Sequence, residues 1–185
     1  MAIASEYLLQ DLLEITKKNI SSIEKLKEKP FDFLNWKQDY ETWSTLECLE
    51  HLNRYGDFYI PEISKRMTVS KHKKSEVFRS NWFGQYFIKS IRYNEDLNKM
   101  KTFRSMNPRN SELSIRTLEK FIEQQHQIIK LLHKAKFIDL DKTKTSISIS
   151  KLIKLKLGDT LGVLIYHNER HIKQAEKSFK NAMKQ

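Results

Sequence analysis

His167 and His171 lie four residues apart in the stretch Tyr166-His167-Asn168-Glu169-Arg170-His171-Ile172-Lys173-Gln174. Four residues make about one helical turn, so the two imidazoles project from one face, one above the other. Leu157, Leu161, Leu164, Ala175, Phe179 and Ala182 recur at steps of three and four around them, which puts both rings on the stripe that a helix turns to its core. Stacked core imidazoles have two readings. Each ring is a satisfied core histidine, or the pair shares a divalent cation, which removes both the unpartnered ring nitrogens and the repulsion between protonated rings. An ion needs at least a third ligand.

His51 is the best-placed third residue. It lies about two turns into another helix, beside Tyr55 and Phe58, on the flank of an apolar arc of Cys48, Leu49, Leu52, Tyr59 and Ile63. Ser44 with Glu47 three residues on forms a capping box, so this helix is expected from about Thr45 to about Met67, kinked or interrupted at Pro61. The cap occupies the Glu47 carboxylate. Cys48, the sole cysteine, excludes an internal disulfide. It reads as core packing rather than a ligand, because thiolate sites usually carry more than one cysteine.

The elements that must position these residues are helical. A first helix is expected over 3–28, ended by Pro30. The aromatic linker Phe31 to Tyr40 is expected to pack across the bundle end, and a third long helix spans about Ser111 to Phe137, capped by Asn110 or Ser111 after Pro108. His126 and His133 share a face of that helix and read as surface or boundary residues. Residues 145–157 alternate apolar and polar, which predicts an extended connection without a strand partner, leading into the fourth helix near Lys156. Residues 62–109 hold 12 Lys/Arg against 4 Asp/Glu, interleaved with Phe78, Trp82, Phe83, Tyr86 and Phe87. One or two short amphipathic helices are expected there, with the aromatics in the core and the lysines in solvent. Single-stranded nucleic acid held by stacking and phosphate contacts is the weaker alternative, since excess charge reports attraction more readily than specificity.

The fold class is therefore an all-α four-helix bundle with an additional basic, aromatic helical section between helices two and three, residues 1–185 forming one domain. A net charge of +11 attracts anions without naming them. Glu6 and Asp11 interrupt the N-terminus where a signal peptide needs an apolar run, and no stretch approaches the ~18 apolar residues of a membrane span. A cytoplasmic protein is expected, with no membrane partner. The aromatic linkers are compatible with a homodimer.

Two motifs, W-S-x-x-E-x-x-x-H-L at Trp43 to Leu52 and H-x-x-x-H with R-H-x-x-Q at His167 to Gln174, occur in this order. Together they resemble the DinB-like family of metal-binding four-helix bundles, which includes bacillithiol- and mycothiol-dependent transferases, and the likeness covers nearly the whole chain. It implies a metal triad of His51, His167 and His171 with open coordination positions, binding a divalent ion such as zinc or nickel. The implied activity is that of a thiol transferase or hydrolase, with a low-molecular-weight thiol or water activated on the ion and a small-molecule substrate. Gln174, seven residues past His167 and on its face, is a candidate for the layer behind the ligands or for substrate contact. Arg170 is a candidate for an anionic substrate, or for an ion pair at the bundle end. The rival to an enzyme is a non-catalytic, stress-associated metal-binding bundle, in which Cys48 would close the site.

Overall fold

Local sequence rules set most of the elements in the computed structural model, which describes residues 2–92 and 102–185. In chain order these are strand β1 (Ala2–Ala4), helix α1 (Ser5–Lys27), the short α2 (Phe31–Asn35), α3 (Thr45–Val69), β2 (Val77–Arg79), α4 (Trp82–Ile91), a 3₁₀ turn at Arg104–Met106, α5 (Arg116–Ala135), the strands β3 (Lys144–Ile147) and β4 (Ser150–Lys156), and α6 (Leu157–Ala182). The described residues are mostly helical, in line with an all-α fold class, with two small sheets added. α3 packs on α5 and α6, and α1 packs on the same two. Their apolar stripes meet in one cluster around Leu12, Ile63, Leu132 and Leu161 and a second around Ile23, Leu49, Phe121 and Ile172.

α3 begins as expected. Glu47 N–H donates to Ser44 Oγ and Ser44 N–H to Glu47 Oε2, both at 3.0 Å, and Lys37 Nζ donates to the other Glu47 oxygen at 2.9 Å. Pro61 does not interrupt it: α3 runs through to Val69. Pro61 and Asp57 both lie on the exposed face, where the carbonyl that lacks its N–H partner can be hydrated. α5 starts five residues later than the Ser111 expectation, at Arg116, because Asn110 takes a left-handed conformation (φ 63°) that turns the chain before it enters the helix. The linker packs on α3 and α6 through Leu34, while Phe31, Phe33 and Tyr40 stay exposed.

The alternating segment does find a partner, contrary to the expectation of a lone extended connection. Its two halves pair with each other as an antiparallel hairpin, Thr145 opposite Leu155, with a register shift at Ser146/Ile147. An exposed single strand leaves a row of backbone groups unpaired, and folding back satisfies them locally. The hairpin is pinned to α3, where Glu62 Oε1 accepts Ser146 N–H at 2.8 Å, and to α6, where Thr145 Oγ1 meets Thr160 Oγ1 at 2.6 Å.

The basic section 62–109 is partly the end of α3 and partly β2, which pairs with β1 at Ile3 opposite Phe78, and α4; its residues 93–101 lie outside the described residues. Its aromatics divide. Phe78 is buried and Phe83 and Phe87 pack against Ile91, Ile147, Leu155 and Val163, whereas Trp82, 79% exposed, and Tyr86 face outward. α4 lies close on α6, since a Cβ at Gly84 would stand 2.2 Å from the Asp159 carboxylate carbon. Asp159 Oδ1 in turn accepts Ser80 Oγ–H at 2.5 Å. No described helix is long and apolar enough to cross a membrane.

Ser44→Ala removes one half of the capping box and leaves an N–H of the first turn of α3 unpaired. Urea unfolding is expected to show a loss of about 1 kcal/mol with unchanged m-value.

Candidate metal centre

α3 and α6 deliver the site, and side chains near the start of α3 set how the two helices meet. Thr45 Oγ–H donates to Ala175 O at 3.0 Å and Ser178 Oγ–H to Trp43 O at 3.1 Å. In that register His51, two turns into α3, faces His167 and His171 on α6. All three histidines singled out in the sequence come together, their ligand atoms within 4.8 Å of one another. Among the described residues this is the one group of His, Cys, Asp and Glu side chains so gathered. Cys48 stands outside it, fully buried, its thiol pushed well up by burial and next by the Glu47 charge. His126 and His133 are exposed on α5, as expected.

The donor set fits a divalent ion. His51 is 2% exposed and its Nδ1–H donates to the Met106 carbonyl at 2.7 Å, which leaves Nε2 with its lone pair turned toward α6. His171 Nδ1–H donates to Gln174 Oε1 at 2.8 Å with the same consequence. Gln174 thus backs His171, although its spacing from His167 first drew attention to it. His51 Nε2 and His167 Nε2 are 3.3 Å apart. Two nitrogens bound to one tetrahedral ion at ~2.0–2.1 Å stand about 3.3 Å apart. His167 Nδ1 is buried without a hydrogen-bond partner, so packing rather than an outer acceptor orients that ring.

Aromatic rings surround the three imidazoles. Trp43 lies 4.8 Å from His51 and 5.9 Å from His171 between centroids, and Tyr55 lies 5.0 Å from His51 and 4.5 Å from His167. Burial dominates the ionisation of the group. It lowers His51 to about 4 against the opposing Met106 hydrogen bond, and Arg54 lowers it further. It lowers His171 to about 3, with His51 adding to the effect and Gln174 opposing it, and it holds His167 well below its ordinary value, with His171 and His51 adding to the effect. All three rings are neutral at pH 7, the state a metal requires. Burial also pushes the Tyr55 phenol up to about 12, so it stays protonated.

The rings open onto a cavity of about 1050 Å³ lined by α3, α4, α6, the hairpin and the 36–43 and 102–109 loops. Arg170 lines it too, buried and one position before His171 rather than exposed at a rim. Sequence reasoning gave no role to Met106, whose carbonyl sets the His51 tautomer, or to Tyr55. Tyr55 carries a signal, its i+4 spacing from His51. A backbone carbonyl 55 residues away carries none. Arg54 holds that carbonyl in place: its guanidinium donates to Asn107 O and Ser111 Oγ at 2.7 Å each, to Ser105 O at 3.3 Å and to Glu50 at 3.1 Å.

A family model described as the DinB superfamily matches residues 15–175. No curated protein and no solved structure matches the chain.

Arg54→Met frees the 105–111 loop from α3. In ¹⁵N spectra of the imidazoles at pH 7, His51 is expected to change from a pure Nδ1–H tautomer to a mixture while the helical content stays constant; an unchanged tautomer would show that Met106 is held by other means. The depressed histidines also predict a pH dependence. The unfolded chain takes up protons first, so the stability of the metal-free protein is complete above about pH 6.5 and falls as pH drops towards about 4. Denaturant unfolding between these limits should show stability falling by on the order of 1.4 kcal/mol per pH unit for each ring, and His167→Gln should flatten the slope.

Proposed function

The chain belongs to the DinB superfamily, and from that premise we propose that it is a divalent-metal-dependent enzyme of four-helix-bundle type, residues 1–185 acting as one domain, with His51, His167 and His171 as the metal ligands. One observation carries the reading: three neutral imidazoles, two with their outer nitrogens engaged by Met106 and Gln174, gather their ligand atoms within 4.8 Å of one another beside a large cavity. Imidazole donors suit zinc and nickel, along with other first-row ions. A divalent ion held there supplies a nucleophile at neutral pH by lowering the pKa of a coordinated water or thiol.

The chain's own groups do the rest. Met106 O and Gln174 Oε1 keep protons on the outer nitrogens, so that the inner lone pairs of His51 and His171 stay available. Trp43 and Tyr55 pack against the rings and line the cavity beside them. The Tyr55 phenol, protonated at neutral pH, donates a hydrogen bond to an oxygen or leaving group in the cavity. Arg170 supplies positive charge where negative charge develops, with little water to screen it. The reaction is transfer of a small thiol to an electrophilic small molecule, or hydrolysis of one. A closed, purely structural site needs a fourth protein ligand, and Cys48 lies outside the cluster, which favours catalysis over a non-catalytic clamp between α3 and α6.

Elemental analysis of the protein as purified tests the assignment. About one divalent ion per chain, lost in His51→Ala and in His167→Ala with circular dichroism unchanged, is the expected result. A protein that carries no ion and takes up none on titration with zinc, nickel or manganese would refute it.

A further inference from the structure

One stripe of α6 runs through the whole cavity. Val163, His167, Arg170, Gln174, Lys177 and Asn181 all line it at steps of three and four, over about 27 Å of helix. The stripe changes character at the histidines. On the N-terminal side, one turn before His167, Val163 meets Ile91 of α4 and Ile147 and Leu155 of the hairpin in a buried apolar cluster with Phe87 packed against it. Ile91, Ile147, Leu155 and Phe87 all present surface to the same cavity. On the C-terminal side α6 contributes amide, ammonium and hydroxyl groups, from Gln174, Lys177, Ser178 and Asn181, and the 36–43 segment adds Gln38, Asp39, Glu41 and Thr42 together with the rings of Trp36 and Trp43.

A ligand that fills such a space is matched to it only if its own polarity changes at the same place. Apolar surface moved out of water against the α4 and hairpin side chains favours binding in proportion to its area, whereas a polar group placed there loses its hydration without a partner. The reverse holds at the other end. We propose that the substrate is an amphipathic molecule whose reacting group, at the histidines, separates an alkyl or aryl portion seated among Ile91, Ile147 and Leu155 from a polar portion lying along Gln174, Lys177 and Asn181. This rests on the metal-site reading for the position of the reacting group and goes beyond it in naming what lies on either side. It also gives α4 and the hairpin, the two additions to the long helices, a function: they build the apolar wall.

The test uses aceto-, butano-, hexano- and octanohydroxamate, whose head group chelates a metal and whose chain probes the wall. Binding is measured calorimetrically to zinc-loaded and to chelator-treated protein. The head group sets the difference between the two preparations, and the wall sets the slope with chain length. The expected slope is a gain of roughly three- to fourfold per methylene in both preparations. It should drop towards onefold in Val163→Phe, which fills the apolar end, and stay unchanged in Lys177→Leu at the polar end. A flat series in the wild-type protein overturns the inference whether or not the variants fold. So does a slope that survives Val163→Phe and falls in Lys177→Leu, since the chain then lies at the opposite end. Equal acetohydroxamate affinity with and without zinc overturns the metal reading alone, and the slope still decides this one.

Discussion

Three imidazoles packed ring against ring, with centroids 4.6–5.1 Å apart, can share a buried space only while all of them are neutral. A proton on any one creates a charge with little solvation, repelled by the next ring to be protonated. The arrangement is therefore built to hold lone pairs, and the surrounding structure can be understood as the means of keeping them turned inward. The contacts of Thr45 and Ser178 set the register of α3 on α6, so that the His51 ring arrives opposite the turn that carries His167 and His171. The Met106 carbonyl and the Gln174 amide then take the outer protons. His167, which has no such partner, is held by its neighbours' bulk.

A second layer of dependence follows from the first. The Met106 carbonyl belongs to an irregular loop, and irregular backbone stays where it is only if something ties it down. Arg54 does so from α3, one turn after His51, with donors to two backbone carbonyls and a serine hydroxyl of the 105–111 segment. The helix that carries the histidine thus also fixes the loop that orients it. The hairpin and α4 are tied in comparable ways, through Glu62 and Thr160 in one case and through Ser80, Asp159 and the close approach at Gly84 in the other. These ties convert what would be loose connections into cavity walls.

Much of this was legible in the chain. The 3.6-residue apolar period located the long helices, the Ser44/Glu47 box located the start of α3, and the four-residue spacing of His167 and His171 placed both on one face. One feature was misjudged for a physical reason. The alternation over 145–157 correctly indicated extended backbone, but the period of two says nothing about what a strand pairs with, and the hairpin closed on itself. Pro61 removes a hydrogen bond wherever it sits in a helix, yet at an exposed position water compensates and the helix continues.

The sequence by itself determined the elements, the faces and the inventory of donors, because helical period, capping and side-chain chemistry act over a few residues. Only the tertiary structure decided that His51 meets the other two rings, that burial by all sides of the site keeps them neutral, that a carbonyl from residue 106 selects the His51 tautomer, and that the apolar and polar walls of the cavity meet at the histidines. Those properties arise between segments 50 to 120 residues apart, where register and packing, rather than local spacing, fix which groups face one another.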